Sequence, residues 1–164
     1  MKIYTKKGDD KKTDIIGGRV YKDDIIIECL GAIDELAVAI MAASHHQKDS
    51  GLKDELLELV GKLRSLSGAL LGKDGEITAE SVSRVENKID YYQAKIAPLT
   101  DFVLPGETLS GNSLHAARVV ARRLERRIVA YSRQAEVASA VIAYVNRLSD
   151  LLFVMARYAE EKHV

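Results

Sequence analysis

This chain of 164 residues has one cysteine, two prolines, no tryptophan and no net charge, and each shortage closes off a class of protein. The lone Cys29 cannot form an internal disulfide, so the fold has to hold by its core, and a reducing cytoplasm is its expected home. Two prolines in a chain that is 47% hydrophobic suit long helices better than a disordered or fibrous chain. Lysine plus arginine equal aspartate plus glutamate at 24 each. No global field therefore draws the molecule to nucleic acid or to an anionic membrane, and any anion site must be local. Aromatic residues, at 5%, are too few for base-stacking RNA surfaces. No apolar run reads as long enough to span a bilayer, and MKIYTKKGDDKK has no apolar signal core. His45 and His46 are adjacent and lack the spacing of two ligands on one helical face, so no metal site of the protein's own is expected. Cys29 has no basic neighbour in sequence to activate it.

What is present reads as one domain over residues 1–164, with a polar loop over 1–25 and a bundle over 26–164. In the leader, Gly8, Gly17 and Gly18 interrupt any regular pattern, which predicts loop with at most a brief extended piece. Apolar residues then recur at helical spacing in five stretches. Helix one carries Leu30, Ile33, Ala37, Ile40 and Met41; helix two carries Leu52, Leu56, Leu59, Leu63, Leu66 and Leu70. Thr78 can cap helix three, which should stop before Pro98. APLTDFVLPGETLSGN, through residue 112, reads as loop. Helix four follows with Leu114, Ala117, Ala121, Leu124, Ile128 and Tyr131, and helix five with Val141, Val145, Leu148, Leu152, Met155 and Ala159. The short turn near Gln134 makes these last two antiparallel neighbours. The expected fold is all-α, an up-and-down bundle of about five helices.

Helix four is unusual for its cations. At about 100° per residue, Arg118, Arg122, Glu125 and Arg126 share one sector beside the apolar stripe, whereas Arg123 and Arg127 point further toward solvent. Guanidinium groups half buried beside a core need anionic partners. Glutamates of other helices are the plain answer; an oligoanion such as a triphosphate, matched by forked donors, is the specific one. The leader TKKGDDKKT adds Lys6, Lys7, Lys11 and Lys12 around Gly8, with Thr5 and Thr13 as hydroxyl donors. It lacks the ending of a Walker A loop, and its aspartates repel phosphate unless a magnesium ion intervenes.

Six segments in order, TKKGDDKKT, GGRVYKDD, GAIDEL, FVLPGE, LHAARVVARRLER and VNRLSDLLFVMAR, together resemble the ATP:corrinoid (cob(I)alamin) adenosyltransferases of the propanediol-utilisation (PduO) type over nearly the whole chain. The resemblance implies a homotrimer with ATP bound between subunits and a corrinoid beside it. Such enzymes transfer the 5′-deoxyadenosyl group of ATP to Co(I) of reduced cobalamin, with Mg2+ on the phosphates, and release triphosphate. Co(I) is itself the nucleophile, so the protein orients C5′ and stabilises the departing triphosphate. By match to the motifs, Thr5, Lys6, Lys7, Gly8, Thr13 and Lys22 would serve the phosphates. Arg122, Arg123, Glu125 and Arg126 would line the nucleotide site, and Asn146 would hydrogen-bond ATP. Arg118 would pair with Asp34 across the subunit boundary, Phe102 would sit on the lower corrin face, and His115 would approach the corrinoid. A cobalamin reductase or an adenosylcobalamin-dependent enzyme would be the protein partner.

The chain departs from the family pattern at several positions. Lys11 replaces the second glycine of the leader, Leu30 and Ala37 replace polar residues around GAIDEL, and Glu107 replaces a glycine. It also ends soon after helix five, where many members continue with residues that help enclose the corrinoid. A lysine forced to positive φ at position 11 would strain the loop. These changes keep a second reading open, a catalytically impaired ATP- or corrinoid-binding paralogue acting as carrier or sensor. A purely structural helical oligomer or an arginine-rich RNA-binding helix stands behind it.

Overall fold

A computed structural model describes residues 2–4, 6–73, 77–99, 101 and 104–162. It contains strands β1 (Lys12–Ile15) and β2 (Gly18–Tyr21) and helices α1 (Ile25–His45), α2 (Ser50–Leu70), α3 (Ala79–Gln93), α4 (Leu109–Tyr131) and α5 (Ser139–Glu161).

Four of the five helices start on a side-chain cap, which satisfies a backbone N–H that has no partner within the helix. Asp24 accepts from Ile26 N and Asp49 from Leu52 N, both at 3.0 Å. Thr78 forms a capping box with Ser81, and Thr108 accepts from Gly111 N at 3.0 Å. Asp49 also takes a hydrogen bond from the Tyr158 hydroxyl at 2.9 Å, tying the start of α2 to the end of α5. Because Thr108 is the cap, α4 begins at Leu109 and not after Asn112, one turn earlier than the glycine-containing LSGN suggests.

The helices stack in the spatial order α2, α1, α4, α5, α3. Helix α4 is central: Leu114, Ala117, Ala121, Leu124 and Ile128 are buried between α1 and α5, leaving its remaining face for charge. Helix α5 is long and apolar enough by length and composition to cross a membrane, contrary to the sequence expectation. Its apolar length serves packing, since it lies between α4 and α3 with Leu148, Leu151, Leu152 and Met155 fully buried.

The brief extended piece expected in the leader is a two-stranded hairpin. β1 and β2 pair antiparallel, with Asp14 opposite Arg19 and Ile15 opposite Gly18, and Gly17 turns the chain at φ 94°. Strands of four residues rich in charge show no apolar alternation. The hairpin is held instead by its glycine turn and by opposite charges across the strands.

Candidate active site

The cations of α4 divide into two rows, as the helical spacing predicts, but their environments are redistributed. Arg123 pairs with Glu35 and Arg127 with Glu28 at 2.9 Å, so this row is stitched to α1. Arg127, expected toward solvent, is half-buried, and Arg123 is committed to α1 rather than grouped with the other row. Arg122 and Arg126, expected half-buried, are exposed, and neither has an ion-pair or hydrogen-bond partner among the described residues. Glutamates on a neighbouring helix thus account for one row of guanidinium groups and not for the other.

Beside the free row, Glu125 accepts a hydrogen bond from the Asn146 amide at 2.8 Å. The Asn146 carbonyl oxygen accepts from Arg147 at 2.6 Å, and Arg147 reaches Glu86 at 2.9 Å. The bridge runs from α4 through α5 to α3 and fixes Asn146 at both ends of its amide. Arg118, half-buried, donates from Nε to His115 Nδ1 at 3.2 Å, and its guanidinium carbon lies 5.9 Å from the Phe153 ring centre. Burial and the charge of Arg122 lower the Arg118 pKa. His115 is 4% exposed and lies between Arg118 and Glu160. Burial first, then the Arg118 charge, pull its pKa down to about 4, so it is neutral near physiological pH.

The leader hairpin gathers the second group. A Cβ on Gly8 would lie 2.9 Å from Lys22 Nζ, so glycine is what lets that ammonium group rest against the loop. Lys22 N donates to Lys11 O at 2.9 Å, closing the hairpin mouth. Lys6 and Lys11 both take left-handed backbone, φ 62° and 65°. A glycine at position 11 would adopt this conformation without strain; lysine does not. Lys7 and Thr13 lie in the same hairpin. Thr5 and Phe102 lie outside the described residues.

Arg19, in the GGRVYKDD segment, has a role that the sequence pattern does not announce. It donates to Asp14 at 2.8 Å, to both oxygens of Asp10 at 2.9 and 3.0 Å, and to the carbonyl of Lys7. Hydrogen bonding from Arg19 holds the Asp10 carboxyl below its usual pKa. The clue was available in the register, which sets an acid opposite a base at Asp14 and Arg19.

Asp34 is exposed on α1 and, among the described residues, has no partner. It lines a shallow groove of about 230 Å³ between α1 and α2 with Leu30, Ala37 and Arg64, so two of the departures from the family pattern flank it. Arg118 sits on the α5 side of α4 and does not meet Asp34 within one chain. Among the described residues of the hairpin strands, Ile15 is the one that packs against the hydrophobic core. Among the described residues no hydrogen bond or ion pair joins the hairpin strands, the free row of α4 and Asp34 to one another.

The family profile described as Cobalamin adenosyltransferase matches residues 3–159. The chain belongs to the cobalamin adenosyltransferase family. It is 41% identical to a corrinoid adenosyltransferase of Bacillus subtilis (strain 168), over 96% of this chain and 86% of that one. It is 36% identical to the human corrinoid adenosyltransferase MMAB, over 98% of this chain and 70% of that one. Among solved structures, a variant PduO-type ATP:corrinoid adenosyltransferase from Lactobacillus reuteri, complexed with cobalamin and ATP, superposes with a TM-score of 0.90. That match has 32% identity and covers 99% of this chain and 95% of that one. A variant of the same enzyme complexed with ATP gives a TM-score of 0.91 at 32% identity, over 98% of this chain and 95% of that one.

Proposed function

We propose that this chain is an ATP:cob(I)alamin adenosyltransferase, working in the cytoplasm as a homotrimer whose sites form between neighbouring copies. The observation that carries the reading is the free row of Arg122 and Arg126 beside the braced Glu125 and Asn146. Forked, uncompensated donors next to a fixed amide suit a nucleotide triphosphate, and family membership supplies the reaction. The triphosphate would lie against Arg122 and Arg126 and be wrapped by Lys6, Gly8 and Lys22 of a hairpin from an adjoining copy. Asn146 and Glu125 would orient the adenosine.

In the reaction, the Co(I) electron pair forms a bond to C5′ while the C5′–O bond breaks, and triphosphate leaves with the displaced electrons. The protein's contribution is to hold C5′ in line and to meet the growing negative charge with cations already in position. Phe102 would lie under the corrin. Among the described residues no group of three His, Cys, Asp or Glu side chains could hold a metal, and Asp10 and Asp14 are engaged by Arg19. A magnesium ion would accordingly ride on the phosphates, lowering their charge repulsion with the leader carboxylates. A cobalamin reductase or an adenosylcobalamin-dependent enzyme would be its protein neighbour in the cell.

An anaerobic cuvette with ATP, Mg2+ and chemically reduced cobalamin tests this reading. The Co(I) absorption should convert to that of adenosylcobalamin only in the presence of the chain. Unchanged Co(I) despite bound ATP would favour the carrier or sensor reading raised by Lys11, Leu30 and Ala37.

Two further outcomes concern the hairpin. Lys11→Gly should relieve about 1 kcal/mol of backbone strain in the folded chain, read by calorimetry as a raised Tm with the ATP Kd little changed; an unchanged Tm would mean that the loop carries no such strain. Arg19→Ala should release Asp10, Asp14 and the Lys7 carbonyl together. It should raise the KM for ATP about ten-fold with kcat within about two-fold, the signature of lost binding that is shared by ground and transition states.

A further inference from the structure

Buried Glu160 and His115 and half-buried Arg118 form a line that the proposed reaction does not itself require. Glu160, near the end of α5, is 8% exposed, and its Oε1 accepts from Gly106 N at 3.2 Å. Gly111 makes room for it, and Gly106 turns the loop that it holds. Gly106 takes φ 102°, and a Cβ on Gly111 would lie 2.3 Å from Glu160 Oε1. The other oxygen, Oε2, stands 3.9 Å from His115 Nε2, which is buried and has no hydrogen-bond partner. His115 Nδ1 accepts from Arg118 Nε at 3.2 Å.

An imidazole whose Nδ1 lone pair is taken by an arginine must, when neutral, carry its proton on Nε2. That proton then faces the Glu160 carboxylate, and the acid favours the one tautomer that lets His115 accept from Arg118. The opposite tautomer would set N–H against N–H at Arg118 and leave the carboxylate facing a bare nitrogen.

We propose that His115, in its Nε2–H form set by Glu160, is a positioning residue that aims the Arg118 guanidinium and couples it to the Gly106 loop. The inference rests on the reading that Arg118 works at a subunit boundary of an adenosyltransferase. Through Glu160 the same line anchors the backbone four residues beyond Phe102, so the loop beneath the corrin and the boundary arginine share one support.

Substitution by an acceptor and by an apolar group separates positioning from packing. His115→Asn keeps an oxygen near the place of Nδ1; His115→Leu fills space and offers no acceptor. Positioning predicts that Leu lowers kcat/KM about 10- to 100-fold and that Asn recovers most of it, even if Asn is the less stable protein. An Asn variant no more active than Leu, or activity that follows Tm across the two, would overturn the proposal. The second readout does not depend on turnover: imidazole 15N shifts of the intact protein should show His115 Nδ1 unprotonated and Nε2 protonated. Glu160→Gln should shift that balance toward Nδ1–H. A wild-type His115 protonated on Nδ1 would overturn the proposal as well. If the wild-type chain made no adenosylcobalamin, the proposed function would fall while the nitrogen spectrum still decided the tautomer.

Discussion

Arg122→Ala should lower adenosylation by about 10²- to 10³-fold, the usual cost of removing one preorganised donor to developing negative charge. It should leave the stability of the fold almost untouched. The side chain is exposed on α4 and, among the described residues, makes no ion pair or hydrogen bond, so its loss belongs with surface changes of within about 0.5 kcal/mol. Arg123→Ala provides the contrast on the adjacent residue. It removes the contact with Glu35, an exposed pair worth less than about 1 kcal/mol, and should cost little activity. Thermal melts beside single-turnover rates check both. Comparable losses of rate for Arg122 and Arg123 would show that the division into two rows has no functional meaning.

Arg118 and Asp34 should behave as one unit, although they do not meet within a chain. Arg118→Ala and Asp34→Ala should each reduce activity strongly, and the double variant should be little worse than either. That corresponds to a coupling between about 0.5 and 3 kcal/mol in a double-mutant cycle. The geometry allows a sharper test. If Asp34 of one copy meets Arg118 of the next, a subunit lacking only Arg118 still offers Asp34, and one lacking only Asp34 still offers Arg118. Mixed assemblies of the two inactive variants would then contain some intact boundaries and regain activity. Mixtures as inactive as their components would place both roles within single chains.

The bundle was legible in the sequence because helix periodicity reports burial directly. The leucines of α2 at three- and four-residue steps, the Thr78 cap and the apolar stripe of α4 all stand where the spacing sets them. The hairpin was not, since short charged strands have no apolar alternation to read and are fixed by Gly17 and by Arg19 bridging Asp10 and Asp14. The site was legible in part. Helical geometry separated the arginines into two rows, but only the three-dimensional arrangement showed that Glu28 and Glu35 are spent on one of them. His115 illustrates the remaining difficulty. Its place beside Glu160, for which Gly111 leaves the room, is announced by no periodicity. Lys11 worked in the other direction: the family pattern raised the condition that a lysine at positive φ would strain the loop, and the backbone at Lys11 meets that condition.

The central claim is that this chain makes a carbon–cobalt bond at the expense of ATP, and product stoichiometry tests it most directly. With cob(I)alamin limiting, ATP and Mg2+ in excess and oxygen excluded, the account predicts one triphosphate released for each adenosylcobalamin formed, with both products absent in Arg122→Ala over the same interval. Tight binding of ATP and reduced cobalamin with neither product formed by the wild-type chain would contradict it.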